Sequence, residues 1–271
     1  MTTWEFPCPE PAEISIESWA AGNVAISGEQ TDTLAVEVTP SRLGALVGNL
    51  LDEVRVTFDD GRLAITGPKL GGFRRKTGLD LTIKAPVGSS CRAQTASADV
   101  ACIGRLGGLT VHTASGDVTM ASASGAVAVQ TASGDVFVDH AAAGANVSTA
   151  SGDVQVAHAS GEVRVNTASG DVAVHEMTGP VAVHTASGDI NVKDLSSGNA
   201  DVSSLSGDVQ ITVRPGIGVY LDLSSTAGDV RSDLDAADAD EIATADGPAI
   251  EIKCRSLSGD IRISKGQPAA A

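Results

Sequence analysis

Apolar and polar residues alternate along most of the chain, in segments that each cover only a few residues. Two neighbouring segments show the pattern clearly, with valine at every second position: Val154 and Val156 in the first, and Val163 and Val165 in the second. A two-residue period places successive side chains on opposite faces of a strand, whereas a helix repeats every 3.6 residues. We therefore expect these valines to lie in a core, and Gln155 and Arg164 to point outward.

The alternating segments recur every 18 residues over the middle of the chain. Six serines at this spacing open copies of Ser-Gly-Asp-Val/Ile, with Ser-Ala-Asp-Val in the first: Ser97, Ser115, Ser133, Ser151, Ser169 and Ser187. Further copies begin at Ser206 and Ser258, and a variant begins at Ala227. Strands this short bury an apolar face only when identical units stack. The pattern predicts an all-β, parallel β-solenoid with coils of about 18 residues and two short strands each. We expect it to be right-handed, since parallel crossovers favour that hand.

The two ends depart from the repeat. Residues 1–90 are predicted to form an irregular β cap with one short helix at about 41–53, because Leu43, Leu46 and Leu50 share one helical face. Residues 91–213 are predicted to form the regular coils. Residues 214–271 are predicted to form irregular coils with an acidic loop and a frayed tail, all within one continuous domain. We expect an uncovered final strand at Leu257–Ile263, and hence a monomer or a weak dimer through the C-terminal end.

Composition narrows the class of partner. The chain has 18 Lys+Arg against 34 Asp+Glu, a formal charge of −16, which argues against nucleic acid or anionic membrane as a partner. Aromatic residues make up only 3% of the chain, so the core must be built from aliphatic side chains. We see neither a signal peptide nor an apolar run long enough to insert into a membrane. These features favour a cytoplasmic protein, with an excised or non-classically exported surface protein as the alternative.

The cysteines show no metal-binding or disulfide pattern. Cys8, Cys91, Cys102 and Cys254 lack Cys-x-x-Cys spacing, so we interpret them as reduced structural thiols, with one redox-sensitive site as the alternative. His140 and His158 lie one period apart, but two imidazoles do not complete a zinc site. The sequence predicts solvated histidines and no metal or other cofactor.

The repeated Ser-Gly-Asp corner carries the most regular candidate site. Its carboxylates form one column, Asp99, Asp117, Asp135, Asp153, Asp171 and Asp189, beside the glycines Gly116, Gly134, Gly152, Gly170 and Gly188. We expect the glycines to adopt positive φ and the Ser and Asp oxygens to accept bonds from turn N–H groups. Calcium between the carboxylates is the alternative, although each corner has one glycine instead of several. A threonine column two residues before each Ser predicts a hydrogen-bonded ladder or, alternatively, an ice-binding face.

One basic cluster interrupts the acidic chain. It comprises Lys69, Arg74, Arg75 and Lys76 around Gly71-Gly72-Phe73. A mobile, solvated hairpin loop is the main interpretation, and a docking site for an anionic partner is the alternative. No unique nucleophile is paired with a base, and no aromatic platform accompanies a carboxylate pair, so we predict that the protein is not an enzyme.

The motifs together resemble a known family. An N-terminal β segment is followed by Pro86-Val87-Gly88-Ser89, by the link Gly104-Arg105-Leu106-Gly107-Gly108 and by serial Thr-Ala-Ser-Gly-Asp-Val copies. This arrangement is similar to the bacterial adhesin-like family of unknown function called toastrack. The resemblance implies a β-solenoid without known catalysis, associated with envelope stress or surface display. We therefore expect a non-catalytic scaffold or binding module for a protein or an envelope component. A calcium-dependent solenoid is the alternative, followed by a polysaccharide-acting enzyme.

Overall fold

The alternation seen in the sequence becomes strand nearly everywhere in the structure. The computed structural model describes residues 1–41, 50–68, 78–234 and 250–266. Two units can be distinguished, Met1–His140 and Ala141–Ala271. Both units are built mainly of stacked parallel strands, so the predicted all-β class and solenoid stacking are confirmed.

The first unit opens with long, irregular strands and continues into short, regular ones. Its strands are β1 (Thr2–Pro7), β2 (Glu13–Glu29), β3 (Thr33–Pro40), β4 (Arg55–Asp59), β5 (Arg62–Thr66), β6 (Leu79–Pro86), β7 (Ser90–Leu106), β8 (Leu109–His112), β9 (Val118–Ala123), β10 (Val127–Ser133) and β11 (Val136–Ala141). Of the helix predicted at about 41–53, residues 42–49 lie outside the described residues, and Leu51–Glu53 form a single 3-10 turn.

Parallel pairing builds the first unit. Strand β2 pairs with β7 along most of its length, and on its other side with β5 and then with β6. The two halves of β7 pair with β8 and β9, and β8 pairs with β10. Strand β3 runs antiparallel to both β6 and β1, and β4 runs antiparallel to β5. The rings of Phe6 on β1 and Phe58 on β4 stack with centroids 5.1 Å apart, which joins the two outermost strands.

The Pro86-Val87-Gly88-Ser89 motif is a structural tie in the first unit. Ser89 is fully buried, and its hydroxyl donates to the Pro86 carbonyl at 2.7 Å while accepting from the Ala12 N–H at 2.9 Å. Gly88 has φ +87, a conformation that favours glycine. The motif therefore fixes the turn from β6 into β7 against the start of β2.

The second unit repeats the two-strand coil. Its strands are β12 (Ala145–Ser151), β13 (Val154–Ala159), β14 (Val163–Ser169), β15 (Val172–Met177), β16 (Val181–Ser187), β17 (Ile190–Leu195), β18 (Ala200–Ser206), β19 (Val209–Val213), β20 (Val219–Ser225), β21 (Val230–Ser232), β22 (Ile250–Ser258) and β23 (Ile261–Lys265). Strands β12, β14, β16 and β18 form one face, and strands β13, β15, β17 and β19 form the other.

Aliphatic columns fill the interior of the second unit. Val154, Val156, Val163 and Val165 are all at most 1% exposed, which confirms the predicted inward face. Arg164 is exposed and Gln155 is partly exposed, as alternation requires. Each inward residue stacks on its equivalent one coil away, as Val165 does on Val183, so the core is a set of matched columns.

The last coil in the sequence is not the last coil of the stack, which corrects the expectation of an uncovered strand at Leu257–Ile263. Strand β22 pairs with β18 on one side and with β20 on the other, and β23 likewise lies between β19 and β21. The chain therefore passes out to residues 219–232 and returns to insert residues 250–265 beneath them. The repeat permits this exchange, because every coil offers its neighbours the same pattern of inward and outward side chains.

Candidate binding surfaces

The aspartate column is a polar ladder of backbone hydrogen bonds. In the first unit, the Asp117 N–H donates to Asp99 Oδ1 at 3.0 Å, and the Asp135 N–H donates to Asp117 Oδ1 at 2.9 Å. In the second unit the same bond, at 2.8 to 2.9 Å, runs in order through Asp153, Asp171, Asp189, Asp208, Asp260 and Asp229. Each carboxylate thus holds the N–H of the next coil, where the sequence suggested bonds within a single turn. The last rungs follow the order Asp208, Asp260 and Asp229, because residues 250–265, which we call the inserted coil, lie before residues 219–232 in the stack.

The corner glycines are required by a close approach of adjacent coils. A Cβ at Gly170 or Gly188 would lie 2.1 Å from the carbonyl oxygen of the glycine one coil earlier. Gly152, Gly170 and Gly188 have φ between +136 and +150, as expected, but Gly116 and Gly134 are not among the residues with positive φ. At those two positions the expectation of positive φ is wrong. Glycine is still required there, because a Cβ would lie 2.1 or 2.2 Å from a carbonyl oxygen of the neighbouring coil.

The threonine column points inward. Thr113, Thr131, Thr149, Thr167 and Thr185 are at most 9% exposed, so they form no ice-binding face. The hydroxyls of the first four have no hydrogen-bond partner among the described residues, so the expected hydrogen-bonded ladder is not formed there. The coil spacing of about 4.8 Å explains this, since it exceeds the reach of a direct bond between equivalent hydroxyls.

A cluster of six ionisable side chains lies along one edge of the second unit, and we call it the charged corner. We define it by His158, His175, Glu176, Lys193, Asp194 and Arg214, on or beside adjacent strands of one face. His158 Nε2 lies 3.6 Å from Glu176 Oε2, and Arg214 Nε donates to Asp194 Oδ1 at 2.9 Å. A second Arg214 nitrogen contacts Asp194 Oδ2.

The electrostatics of Asp194 in the charged corner do not suit a general acid. The hydrogen bond from Arg214 lowers the pKa of Asp194, which is the opposite of what a general acid requires. Burial, followed by the charges of Lys193 and His158, lowers the pKa of His175. The charged corner can make ion pairs and hydrogen bonds with a polar partner. The lowered pKa of Asp194 keeps this carboxylate in the ionised form.

A row of hydrogen-bonding side chains runs along the other face of the second unit. The register aligns its members, which we call the polar row: Ser148, Asn166, His184, Ser203, Arg255 and Ser224. Within the row, His184 Nδ1 lies 2.6 Å from Ser203 Oγ. Since each position is one coil from the next, donors and acceptors repeat at about 4.8 Å. The sequence analysis missed this row because its residue types differ from coil to coil.

The first unit carries an open groove across the outer face of its parallel strands. Small side chains such as Ser15, Ala64 and Thr110 line it, and Arg62 and Arg92 flank them. Arg62 Nε lies 3.2 Å from Glu13 Oε2, with both side chains well exposed. The basic cluster predicted at Lys69, Arg74, Arg75 and Lys76 lies outside the described residues.

A match to a family model covers nearly the whole chain. The model for Toastrack DUF4097 matches residues 12–264, a range that covers most of each unit and every rung of the aspartate ladder. The chain belongs to the Toastrack family. The resemblance drawn from the repeats and from Pro86-Val87-Gly88-Ser89 is thereby confirmed.

Solved structures resemble this Toastrack chain over most of its length at low sequence identity. One, named a candidate adhesin, from Parabacteroides distasonis, is 14% identical, with 96% of each chain covered and a TM-score of 0.44. Another with that name, from Bacteroides fragilis, is 14% identical, with 98% of this chain and 96% of that chain covered and a TM-score of 0.35. A candidate lipid binding protein from Parabacteroides distasonis is 12% identical, with the same coverage and a TM-score of 0.33.

Two further findings are negative. The search of curated proteins yields no significant match to this Toastrack chain. Within the described ranges, no helix has the length and apolar character needed to span a membrane.

Proposed function

We propose that this Toastrack protein is a non-catalytic binding module that holds a protein or an envelope component along its outward faces. The observation that carries the proposal is the polar row, because it offers side-chain hydrogen bonds at one fixed spacing on a rigid sheet. Binding groups on a scaffold of matched columns are already ordered, so less conformational entropy is lost when a partner binds.

The interior supports a binding role over a catalytic one. The inward residues next to the polar row, such as Val165, Val183 and Val202, are fully buried, so the polar row lies on the outer surface of a packed sheet. Catalysis needs reacting groups enclosed in a pocket that excludes water and fixes their geometry. An extended partner lying across several coils suits this surface better than a small substrate.

The calcium-dependent alternative has no support in the ladder geometry. Each bond of the aspartate ladder already engages one carboxylate oxygen with a backbone N–H, as Asp171 Oδ1 is engaged by the Asp189 N–H. Calcium takes six to eight oxygen ligands, often from carboxylates that bind through both oxygens. The ladder therefore serves to fix the corners, and we assign its aspartates and glycines a structural role.

Binding to envelope material tests the proposal. The variant Asn166→Ala/His184→Ala/Arg255→Ala removes the longest side chains of the polar row. The matched variant Gln155→Ala/Gln210→Ala/Arg262→Ala removes similar groups from the opposite face of the same unit. We expect the first variant to lose at least about tenfold in affinity for purified cell-envelope fractions, and the second to bind like the unaltered protein.

Two outcomes would contradict the proposal. The first is equal binding by both triple variants, which would remove the polar row from the recognition surface. The second is release of soluble fragments from the envelope material during incubation, which would indicate an enzyme.

A further inference from the structure

The inserted coil leaves residues 219–232 as the terminal coil of the second unit, with only one neighbouring coil among the described residues. Val219, Leu221 and Leu223 are partly exposed, although their equivalents on β22 are at most 1% exposed. Tyr220 is 62% exposed and Val230 is 43% exposed. The ends of the aliphatic columns therefore reach the surface at this coil.

Backbone hydrogen bonds show which groups of β20 remain available. The Ile250 N–H donates to the Gly218 carbonyl at 2.9 Å, and the Thr226 N–H donates to the Ser256 carbonyl at 3.2 Å. In a parallel ladder, alternate residues direct their N–H and C=O groups to opposite sides of the strand. The even-numbered residues of β20 thus face β22, whereas Val219, Leu221 and Leu223 direct their N–H and C=O groups away from it.

The same reasoning applies to β21. The Ile261 N–H donates to the Asp229 carbonyl, and the Asp233 N–H donates to the Ile263 carbonyl, both at 2.9 Å. Val230 and Ser232 therefore direct their backbone groups away from β23. Both strands of the terminal coil present an edge that can accept another strand.

The sequence of this edge is complementary to itself in the antiparallel direction. Centred on Leu221, two copies of β20 place Val219 opposite Leu223 and Tyr220 opposite Asp222. A shift of β20 to centre on Asp222 would oppose two carboxylates, which is unfavourable.

One two-fold axis satisfies the β20 register. Perpendicular to the sheet at Leu221, it pairs residues 219–223 of β20 with the same residues of its symmetry mate, whereas β21 has only three residues.

We propose that the terminal coil is a self-association surface, through which two copies of this chain join by antiparallel pairing of β20 with β20. The occupant is a second copy because the outward backbone groups and the apolar positions of β20 match those of an identical strand under two-fold symmetry, with Tyr220 opposite Asp222. The net charge of −16 opposes the contact at low salt, and salt screens this repulsion. The inference does not depend on the proposed envelope partner.

Charge changes at Tyr220 test the register, since this exposed side chain lies opposite Asp222 of the second copy. Sedimentation equilibrium at about 0.1 M and about 0.5 M salt measures the dimer dissociation constant. We expect Tyr220→Asp to raise it about tenfold and Tyr220→Lys to lower it, because symmetry places two such pairs in each dimer. Ala182→Asp and Ala182→Lys change net charge equally on the same face in mid-stack, and we expect them to leave the constant within about twofold, since a distant surface charge acts only through net charge.

Three results would overturn the inference. One is a monomer at every salt and protein concentration tested. Another is a dimer whose dissociation constant responds equally to the Tyr220 and Ala182 variants. The third is dimerisation that begins only after residues 235–249 are replaced by a Gly/Ser linker, which would assign the edge to that segment of the same chain.

Discussion

At the residue scale, the fold depends on how closely neighbouring coils approach at the corner. A Cβ at Gly170 would lie 2.1 Å from the carbonyl oxygen of Gly152, a separation at which the backbone itself must shift. Close packing of backbone against backbone leaves no flexible side chain to yield. Glycine at this position is therefore a requirement of stacking more than of turn conformation.

We expect Gly170→Ala to destabilise the second unit by about 3 kcal/mol or more, because it combines a positive φ with a backbone clash. Gly216→Ala is the matched control: Gly216 has φ +87 but nothing within 4 Å of an added Cβ. It should cost only about 1 kcal/mol. Urea denaturation measures both, and equal losses would contradict the role of coil approach.

Buried thiols offer a second prediction at this scale. Cys91, Cys102 and Cys254 are at most 4% exposed, and burial raises the pKa of Cys102 and of Cys254 to about 12. Because the thiolate is the reactive form, we expect labelling by a disulfide reagent at pH 8 to be at least ~1,000-fold slower in the folded protein than in urea. Rapid labelling of any of these three thiols under native conditions would refute the assignment as structural thiols.

At the element scale, each coil is joined to the next by matched columns and by one rung of the aspartate ladder. The ladder is directional, since every carboxylate accepts from the coil that follows it in the stack, as Asp153 does from Asp171. Bonds from N–H groups to a charged acceptor contribute more than neutral bonds do, although exposure to water weakens them. The ladder therefore adds a modest term at each corner and favours one register.

We expect Asp171→Ala to lower the free energy of unfolding by about 1 to 2 kcal/mol, because the Asp189 N–H loses its acceptor. Asp171→Asn keeps an acceptor oxygen and should cost about half as much. Gln155→Ala, an outward change away from the ladder, should cost less than about 0.5 kcal/mol. Thermal denaturation of the three variants measures the differences, and equal stability for Asp171→Ala and Gln155→Ala would refute a structural ladder.

At the scale of the whole molecule, the repeat predicts much of the fold and conceals one feature of it. The 18-residue period identifies the strands, the inward valines and the corner residues, because each depends on local alternation. It does not reveal that Asp260 follows Asp208 in the stack while Asp229 comes last, since all coils carry interchangeable patterns. The polar row was equally hidden, because the positions that the register aligns, such as His184 and Ser203, carry different residue types from coil to coil.

Calcium removal gives a prediction at this scale. We expect excess chelator to shift the melting temperature by less than about 2 °C, because backbone N–H groups already occupy the ladder carboxylates. The β signal in circular dichroism should also be unchanged. A large loss of that signal, restored by adding calcium, would favour a calcium-dependent solenoid.

The inserted coil is the claim on which both the stacking order and the association proposal depend, and hydrogen–deuterium exchange tests it most directly. The measurement uses low salt and low protein concentration, so that the monomer predominates. Strands paired on both sides exchange more slowly than edge strands. We predict that the amides of residues 250–265 exchange more slowly than those of 219–232, although they lie nearer the C-terminus. Faster exchange of residues 250–265 than of residues 219–232 would contradict the account.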